Sequence, residues 1–365
     1  MKTINVGMIG MGGIARCHIL GWQESPFSNV VAISDIDETK LFNWKSVHQI
    51  NKIYKNPDEL IADKDIDVID ICLPNNLHAE YAIKAMESGK HVLCEKPLAS
   101  SSDEIQKMIR VRDNTGKKLM CAQHERFKEI SNIIKIHSET ISPIYHARCW
   151  MLRRNELPGP AWNLLKENKG GALFDIGVHV LDLALYFMGN PKPISVTGIA
   201  RNELANKSNK FTKWSKGYID QVAGIDNTYE YDPLNIPKVE VEEFGSAFVK
   251  FDNGASLILE ASWMLNHDVE GEDQQIWLYG KKGGLQWPKC LKITSQNNLK
   301  YFSKEILETA KLENTLRPYI KECMHFAEAV VNDKSVLVPA EEAFTVMKIL
   351  ESVHKSNDTG REVLI

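Results

Sequence analysis

Residues 10–15 read Gly10-Met11-Gly12-Gly13-Ile14-Ala15, between an apolar run at 3–9 and an amphipathic stretch at 14–23. No other feature narrows the fold as far. A strand that turns on glycine into a helix is the opening of a dinucleotide-binding βαβ unit. The first glycine permits the tight turn. The second lets backbone approach a pyrophosphate at the helix N-terminus, and Ala15 keeps helix and strand close. Asp35 ends the next apolar run, 29–34, about 20 residues after the motif closes. A carboxylate there accepts hydrogen bonds from the adenosine ribose hydroxyls and repels a 2′-phosphate, so NAD is expected over NADP. Its neighbours Ser34 and Ile36 carry no cation to compensate. Alone, the glycine pattern is also that of an ordinary turn. Strand, helix and acid in register give it weight.

The same rhythm continues with a helix from 38, a strand at 67–73, a helix at 77–88 and strands at 91–94 and 119–121 around a helix at 101–114. Strands alternating with helices predict a parallel sheet with right-handed crossovers. After about residue 138 the pattern changes. A strand at 144–152 leads into a turn-rich segment at 155–162, and a further strand is expected at 194–201. Apolar and polar residues then alternate at 247–251, 256–261 and 275–279, as in an antiparallel sheet. Asn253-Gly254 is a hairpin turn signal. Helices at 316–331 and 341–352 close the chain. The expected fold class is α/β: a Rossmann domain at 1–123, then an α+β domain at 124–365 whose C-terminal helices can pack back on the first.

Residues 170–189, GGALFDIGVHVLDLALYFMG, form an apolar helix bounded by glycines. Asp175, His179 and Asp182 stand at i, i+4 and i+7 and so share one stripe. Two carboxylates beside an imidazole can set its tautomer and raise its basicity. Gly177, inside the helix, implies that something flat approaches closely. The plainer reading is a helix end with a polar cap and one satisfied histidine. Glu95-Lys96-Pro97 poses a similar choice. A lysine at the C-terminal edge of a parallel strand sits where such sheets bind ligands, and Pro97 stiffens the loop. A surface Lys-Pro turn is the alternative.

Composition removes several classes. Across 365 residues, 43% are hydrophobic and 25% charged, as in soluble globular proteins. The net charge of −4 offers no general attraction to nucleic acid or anionic membrane. No apolar run is expected to approach the length of a membrane span, and a first strand beginning at residue 3 or 4 is expected to leave no room for a signal peptide. The seven dispersed cysteines, without a CxxC pair, fit a reducing compartment, and a cytoplasmic location is expected. No metal is expected, because Asp175, His179 and His124 lack a recognisable ligand spacing. The serines show no nucleophile elbow. His18, His48, His137, His325 and His354 are read as surface or helix residues without a role. Residues 204–237 are the odd segment, lysine-rich and then acidic, with interleaved aromatics. Folding over the mouth of a site or against a second subunit is expected of them.

Residues 10–15, Pro74-Asn75-Asn76-Leu77-His78, Glu95-Lys96-Pro97 and 170–182 occur in the order and spacing of one family. The chain resembles the glucose–fructose oxidoreductase / inositol dehydrogenase / MocA (Gfo/Idh/MocA) family along essentially its whole length outside 204–237. The resemblance implies an NAD(P)-binding first domain and a second domain with an open, largely antiparallel sheet. It also implies hydride transfer between nicotinamide and a secondary hydroxyl, or ketone, of a sugar, sugar derivative or inositol, in a homo-oligomer (dimer or tetramer). Carried over by residue, it makes Lys96 the contact to the reacting oxygen, Asp175 and His179 the acid and the general base, and Asp182, Trp162 and Arg153 substrate neighbours. Gly10, Met11, Gly12, Gly13, Ile14, Asp35, Pro74, Asn75, His78, Glu95 and Lys96 become cofactor neighbours, and the bond before Pro97 is expected to be cis. The chain departs from the family at His124-Glu125-Arg126-Phe127, where Asn-Arg-Arg-Phe is common, and at Trp162-Asn163, where Trp-Arg is common. NADP use through an arginine at position 163 is therefore not expected. Two alternatives remain within the family: an NAD-dependent glycosidase acting by transient oxidation, and a dinucleotide-binding regulator without catalysis.

Overall fold

The first strand, β1 (Ile4–Ile9), lies inside a sheet between two neighbours, and five of its six residues are buried, as in a strand covered on both faces. In this computed structural model the described residues are 2–158, 161–207, 211–212, 238–269, 271–296, 301–307 and 316–365. They divide into two units.

The first unit takes residues 2–124 and 316–344. Its elements are β1, α1 (Ala15–Glu24), β2 (Ser28–Ser34), α2 (Glu38–His48), β3 (Lys52–Tyr54), α3 (Pro57–Ala62) and β4 (Val68–Ile71). They continue with α4 (His78–Glu87), β5 (His91–Glu95), α5 (Ser102–Thr115) and β6 (Leu119–Ala122). The six strands are parallel in the order β3-β2-β1-β4-β5-β6, that of a Rossmann sheet. Local chemistry sets the helix starts. Asp37 accepts the Thr39 and Lys40 amides at α2, Asn56 caps α3 ahead of Pro57, and Ser101 accepts the Glu104 amide at α5. The helix Arg317–Val331 returns from the far end of the chain to lie on α1. Gly21 permits the approach, since a Cβ there would stand 2.9 Å from the Ile320 backbone. Trp22 and Phe326 meet edge to face beside it.

The second unit holds residues 125–207, 211–212, 238–307 with the gaps given above, and 345–365. Its strands are β7 (Ile144–Arg153), β8 (Leu157–Pro158), β9 (Pro193–Arg201), β10 (Phe211–Thr212), β11 (Phe244–Phe251) and β12 (Ser256–Ser262). They continue with β13 (Glu272–Gly280), β14 (Gly283–Trp287), β15 (Leu291–Gln296), β16 (Tyr301–Ile306) and β17 (Val363–Leu364). Nine of them form one sheet, β16-β15-β14-β13-β7-β12-β11-β9-β17, antiparallel at every step except β7 with β12. One face is covered by α6 (Glu129–Ile141) and α7 (Val178–Met188), and strand residues alternate accordingly. Ala147, Cys149, Leu257, Leu259, Ile276 and Leu278 point inward and are buried. The other face shows Ile199, Phe248, Ile258, Trp150, Trp277 and Tyr279.

One expectation changes here. The stretch Lys166–Met188 is long and apolar enough to cross a membrane, yet 83% of its apolar window is buried within the protein, as a core helix would be. The close approach expected at Gly177 is that of the sheet: a Cβ there would stand 3.1 Å from the Ala261 Cβ, so the glycine seats the helix on β12.

Candidate active site

The glycine loop of the first unit is made of backbone. Gly10 has φ +90°, and a Cβ there would fall 2.4 Å from the Cys72 carbonyl oxygen, so the turn requires glycine. A Cβ at Gly12 would meet nothing within 4 Å, and at Gly13 only the Arg16 guanidinium at 3.6 Å. Behind them α1 begins at Ile14–Ala15 with no side-chain cap and no acidic residue in its first turn. No carboxylate in its first turn therefore offsets the positive dipole end, which suits an anion. Asp35 is tied to this loop: Oδ2 accepts the Met11 amide at 2.7 Å and Oδ1 the Asp37 amide at 2.9 Å. An open glycine cradle, an uncapped helix and a fixed acid at the end of β2 fit an adenine dinucleotide.

The next two loops are linked to each other. Pro74 starts the short turn Asn75–Leu77, and the Lys96–Pro97 bond is cis. His78, expected beside the ribose, is fully buried with Nδ1 2.8 Å from the Pro97 carbonyl oxygen and Nε2 2.8 Å from that of Leu73. It holds the loops after β4 and β5 together. Burial pushes its pKa down against those two carbonyls. Glu95 is also buried; its Oε2 accepts the Lys96 amide at 2.9 Å.

His18 is a correction. Far from being a surface or idle residue, it is fully buried, with Nδ1 3.0 Å from Asp70 Oδ2 and Nε2 3.1 Å from Glu95 Oε1. Trp22 Nε1 donates to Asp70 at 2.7 Å. The signal lay in β4, VIDI: a carboxylate inside a wholly buried strand demands a partner. His18, Asp70 and Cys72 also offer ligand atoms within 4.8 Å of one another. Because Asp70 already accepts from His18 and Trp22, we read a hydrogen-bonded cluster and not a set of metal ligands.

In the second unit, the expected even stripe is interrupted. Residues Leu173–Gly177 form a π-turn before α7 begins, which offsets Asp175 from the α-helical register of His179 and Asp182. Such insertions recur at functional sites. Asp175 Oδ2 accepts the Trp263 indole N–H at 3.0 Å. His179 is buried to 7% exposure. Asp182, expected to touch substrate, is fully buried and takes Arg126 through both oxygens, at 2.6 and 2.7 Å. Arg126 also lies over the Tyr186 ring. Arg153 Nη2 pairs with Glu272 at 2.8 Å. Trp162 stands in the short turn Ala161–Leu164. Most of 204–237 lies outside the described residues.

Sequence reasoning also missed Glu242. Its carbonyl oxygen accepts the Ala172 amide and its Oε1 the Leu173 amide, so it caps the helix bearing Asp175 and His179. Gly171, at φ +118°, makes room: a Cβ there would stand 2.2 Å from Glu242 Oε1. Burial raises the Glu242 carboxyl to about 8 despite that amide.

Comparison with known proteins follows the same division. Residues 4–123 match the GFO_IDH_MocA family model, described as an oxidoreductase family with an NAD-binding Rossmann fold. Residues 134–286 match the GFO/IDH/MocA C-terminal domain. D-glucoside 3-dehydrogenase of Escherichia coli is 25% identical over 99% of this chain and 97% of its own length. Levoglucosan dehydrogenase of Pseudarthrobacter phenanthrenivorans is 31% identical over 78% of this chain and 73% of its own. A solved structure of levoglucosan dehydrogenase with NADH and levoglucosan superposes with a TM-score of 0.81, covering all of both chains at 22% identity, which shows a shared fold.

Proposed function

The chain belongs to the Gfo/Idh/MocA family of oxidoreductases, and from that premise we propose that it is an NAD-dependent dehydrogenase of a secondary hydroxyl on a sugar, sugar derivative or inositol. The observation that carries the cofactor half is the glycine cradle with Asp35 locked to Met11. The relatives named for D-glucoside and levoglucosan support the substrate half. Lys96 donates to the reacting oxygen and stabilises its alkoxide character. His179, oriented by Asp175, accepts the hydroxyl proton. When bound, NAD supplies the acceptor for the hydride leaving the same carbon. Asp182 acts through Arg126, holding α7 in place, while Trp162 and Arg153 border the sugar. The ketone and one proton are the other products.

Three further features accompany this reading. The outward sheet face, with Phe248, Trp277 and Tyr279, is an apolar surface suited to a second copy of the chain. All seven cysteines are free and buried, as suits a reducing cytoplasm. The carboxylate of Asp35, between Ser34 and Ile36, disfavours a 2′-phosphate.

The test is NADH formation by purified protein across a panel of sugars and inositols. Absorbance should rise with NAD and at least one polyol. Release of an aglycone with no net NADH points instead to a glycosidase, and NADH binding without turnover to a regulator. Asp35→Ala should narrow the NAD preference chiefly by weakening NAD; tighter binding of NADP by the wild type would refute the role of Asp35.

A further inference from the structure

We propose that His18 is a positioning residue for Lys96: with Asp70 it fixes the Glu95 carboxylate, and Glu95 in turn holds the backbone amide of Lys96. The inference rests on the reading of Lys96 as the group that meets the reacting oxygen. It concerns only residues of the first unit.

The line of contacts is continuous. Asp70 sits in β4, held by the Trp22 indole at 2.7 Å and by His18 Nδ1 at 3.0 Å. His18, on the helix that follows the glycine loop, turns its other nitrogen to Glu95 Oε1 at 3.1 Å. Glu95 Oε2 accepts the Lys96 amide at 2.9 Å, at the point where the chain enters the cis Lys96–Pro97 bond. Each ring nitrogen of His18 therefore faces a carboxylate. A neutral ring would turn a lone pair towards one of them inside a fully buried site.

The surrounding charges agree with a protonated ring. The carboxylates facing it are Asp70 from β4, Glu95 from the end of β5 and, 3.9 Å away, Glu322 from the helix Arg317–Val331; Cys72 just after β4, Cys323 and Cys17 also face it, as thiols that burial pushes up and keeps neutral. Burial pushes the imidazole down, but Asp70 with its neighbours outweighs this and holds it well above its ordinary value. Glu95 shows the converse: burial raises it, and the His18 hydrogen bond and charge bring it below the usual carboxylate range. Buried ion clusters of this kind gain little stability over a packed apolar core. The outermost link of this one is the amide of the proposed catalytic lysine, and that gives the cluster a use. A side chain whose backbone shifts by about 1 Å can lose roughly 100-fold in rate.

The experiment compares wild type, His18→Gln, Glu95→Gln and the double variant. On the sugar that the wild type turns over best, each single change should lower kcat by about 10-fold to 100-fold. In His18→Gln, NADH affinity, read by nicotinamide fluorescence, and the sugar KM should stay near wild type. The double variant should be no slower than Glu95→Gln alone, because His18 acts through Glu95. Multiplying effects, or a His18→Gln protein that loses NADH affinity and melting temperature with kcat kept, would overturn the proposal. The second arm uses unmutated protein, so folding cannot obscure it. In 15N-histidine spectra the His18 ring should stay protonated on both nitrogens well above the ordinary value of about 6.5. Loss of a proton near that value overturns the clamp. If the wild type oxidises no sugar, the functional reading fails, and the His18 resonance alone then decides whether the clamp exists.

Discussion

The glycine loop of the first unit and the helix around His179 in the second, which carry the proposed cofactor and catalytic residues, are held in place by different means. The loop is a backbone object. Gly10 is forced by its φ of +90° and by the Cys72 carbonyl, and the acid that steadies the loop, Asp35, lies at the end of the adjacent strand. The helix is held by side chains from distant positions: Arg126 on Asp182, Trp263 on Asp175, and Glu242 on the amide of Leu173. A site made of backbone tolerates side-chain change and fails on a glycine. A site made of side chains fails one partner at a time. Substitutions in each region should therefore separate binding from turnover.

The largest effect is expected in turnover. His179→Ala or Lys96→Ala should reduce kcat by about 10²–10⁴-fold, removing a proton acceptor or an oxyanion donor. NAD affinity, which belongs to the glycine loop, should remain. Near-normal turnover in either variant, measured on a sugar that the wild type oxidises, would sink the role assignment.

The buried pair below the helix comes next. Arg126→Met leaves Asp182 charged and fully buried, which costs about 3–5 kcal/mol. Replacing both, as Arg126→Met with Asp182→Leu, should recover most of that in urea unfolding, since two apolar side chains can occupy such a space. If the single variant loses under about 1 kcal/mol, the range of an exposed pair, the helix does not depend on the pair.

This contrast explains what could be read in the chain. The Rossmann order was visible because each βα step carries its own signals: Gly89 and Gly116 as helix stops, capping residues at Asp37 and Ser101, and apolar strands between. The short β3 and α3 escaped because three and six residues offer little periodicity. Spacing and resemblance singled out Asp175 and His179 as candidates, but not the π-turn that offsets them, since nothing local marks an extra residue in a helix. Arg126, Trp263, Glu242 and His18 were missed as partners because a partner is defined by tertiary contact. That the C-terminal helices can pack back was legible, but where Arg317–Val331 lies was not: Gly21 shows why only when Ile320 is seen against it.

Glu242 offers a smaller, pH-dependent test of the side-chain device. Its carboxyl rises from 4.5 to about 8 through burial. Between those values the folded chain holds a proton that the unfolded chain has released. Stability from this group is therefore complete at low pH and lost as pH rises through the folded value. The slope is about 1.4 kcal/mol per pH unit at most. Glu242→Gln keeps an oxygen for the Leu173 amide and has no proton to lose. It should match the wild type near about pH 5 and be the more stable near about pH 9. Parallel stability curves for the two proteins would mean that Glu242 is charged in the fold.

The smallest effect concerns Gly177, where backbone and side-chain logic meet. Its φ of −59° and ψ of −35° suit any residue, so conformation does not require glycine. Helix propensity alone would favour alanine by about 1 kcal/mol. Space decides the other way. The new Cβ would stand 3.1 Å from the Ala261 Cβ, and Ala261 lies on β12 between β7 and β11. A Cβ has no rotamer with which to withdraw, so strand or helix must move, and overpacking of this kind costs about 1–3 kcal/mol. Gly177→Ala should thus be net destabilising by about 1 kcal/mol, with a drop in kcat as the segment bearing Asp175 and His179 lifts from the sheet. Adding Ala261→Gly removes the contact and should restore kcat even where the second glycine costs some strand stability. A stabilised Gly177→Ala protein with wild-type kcat would show instead that the helix has room to move without disturbing the residues it carries.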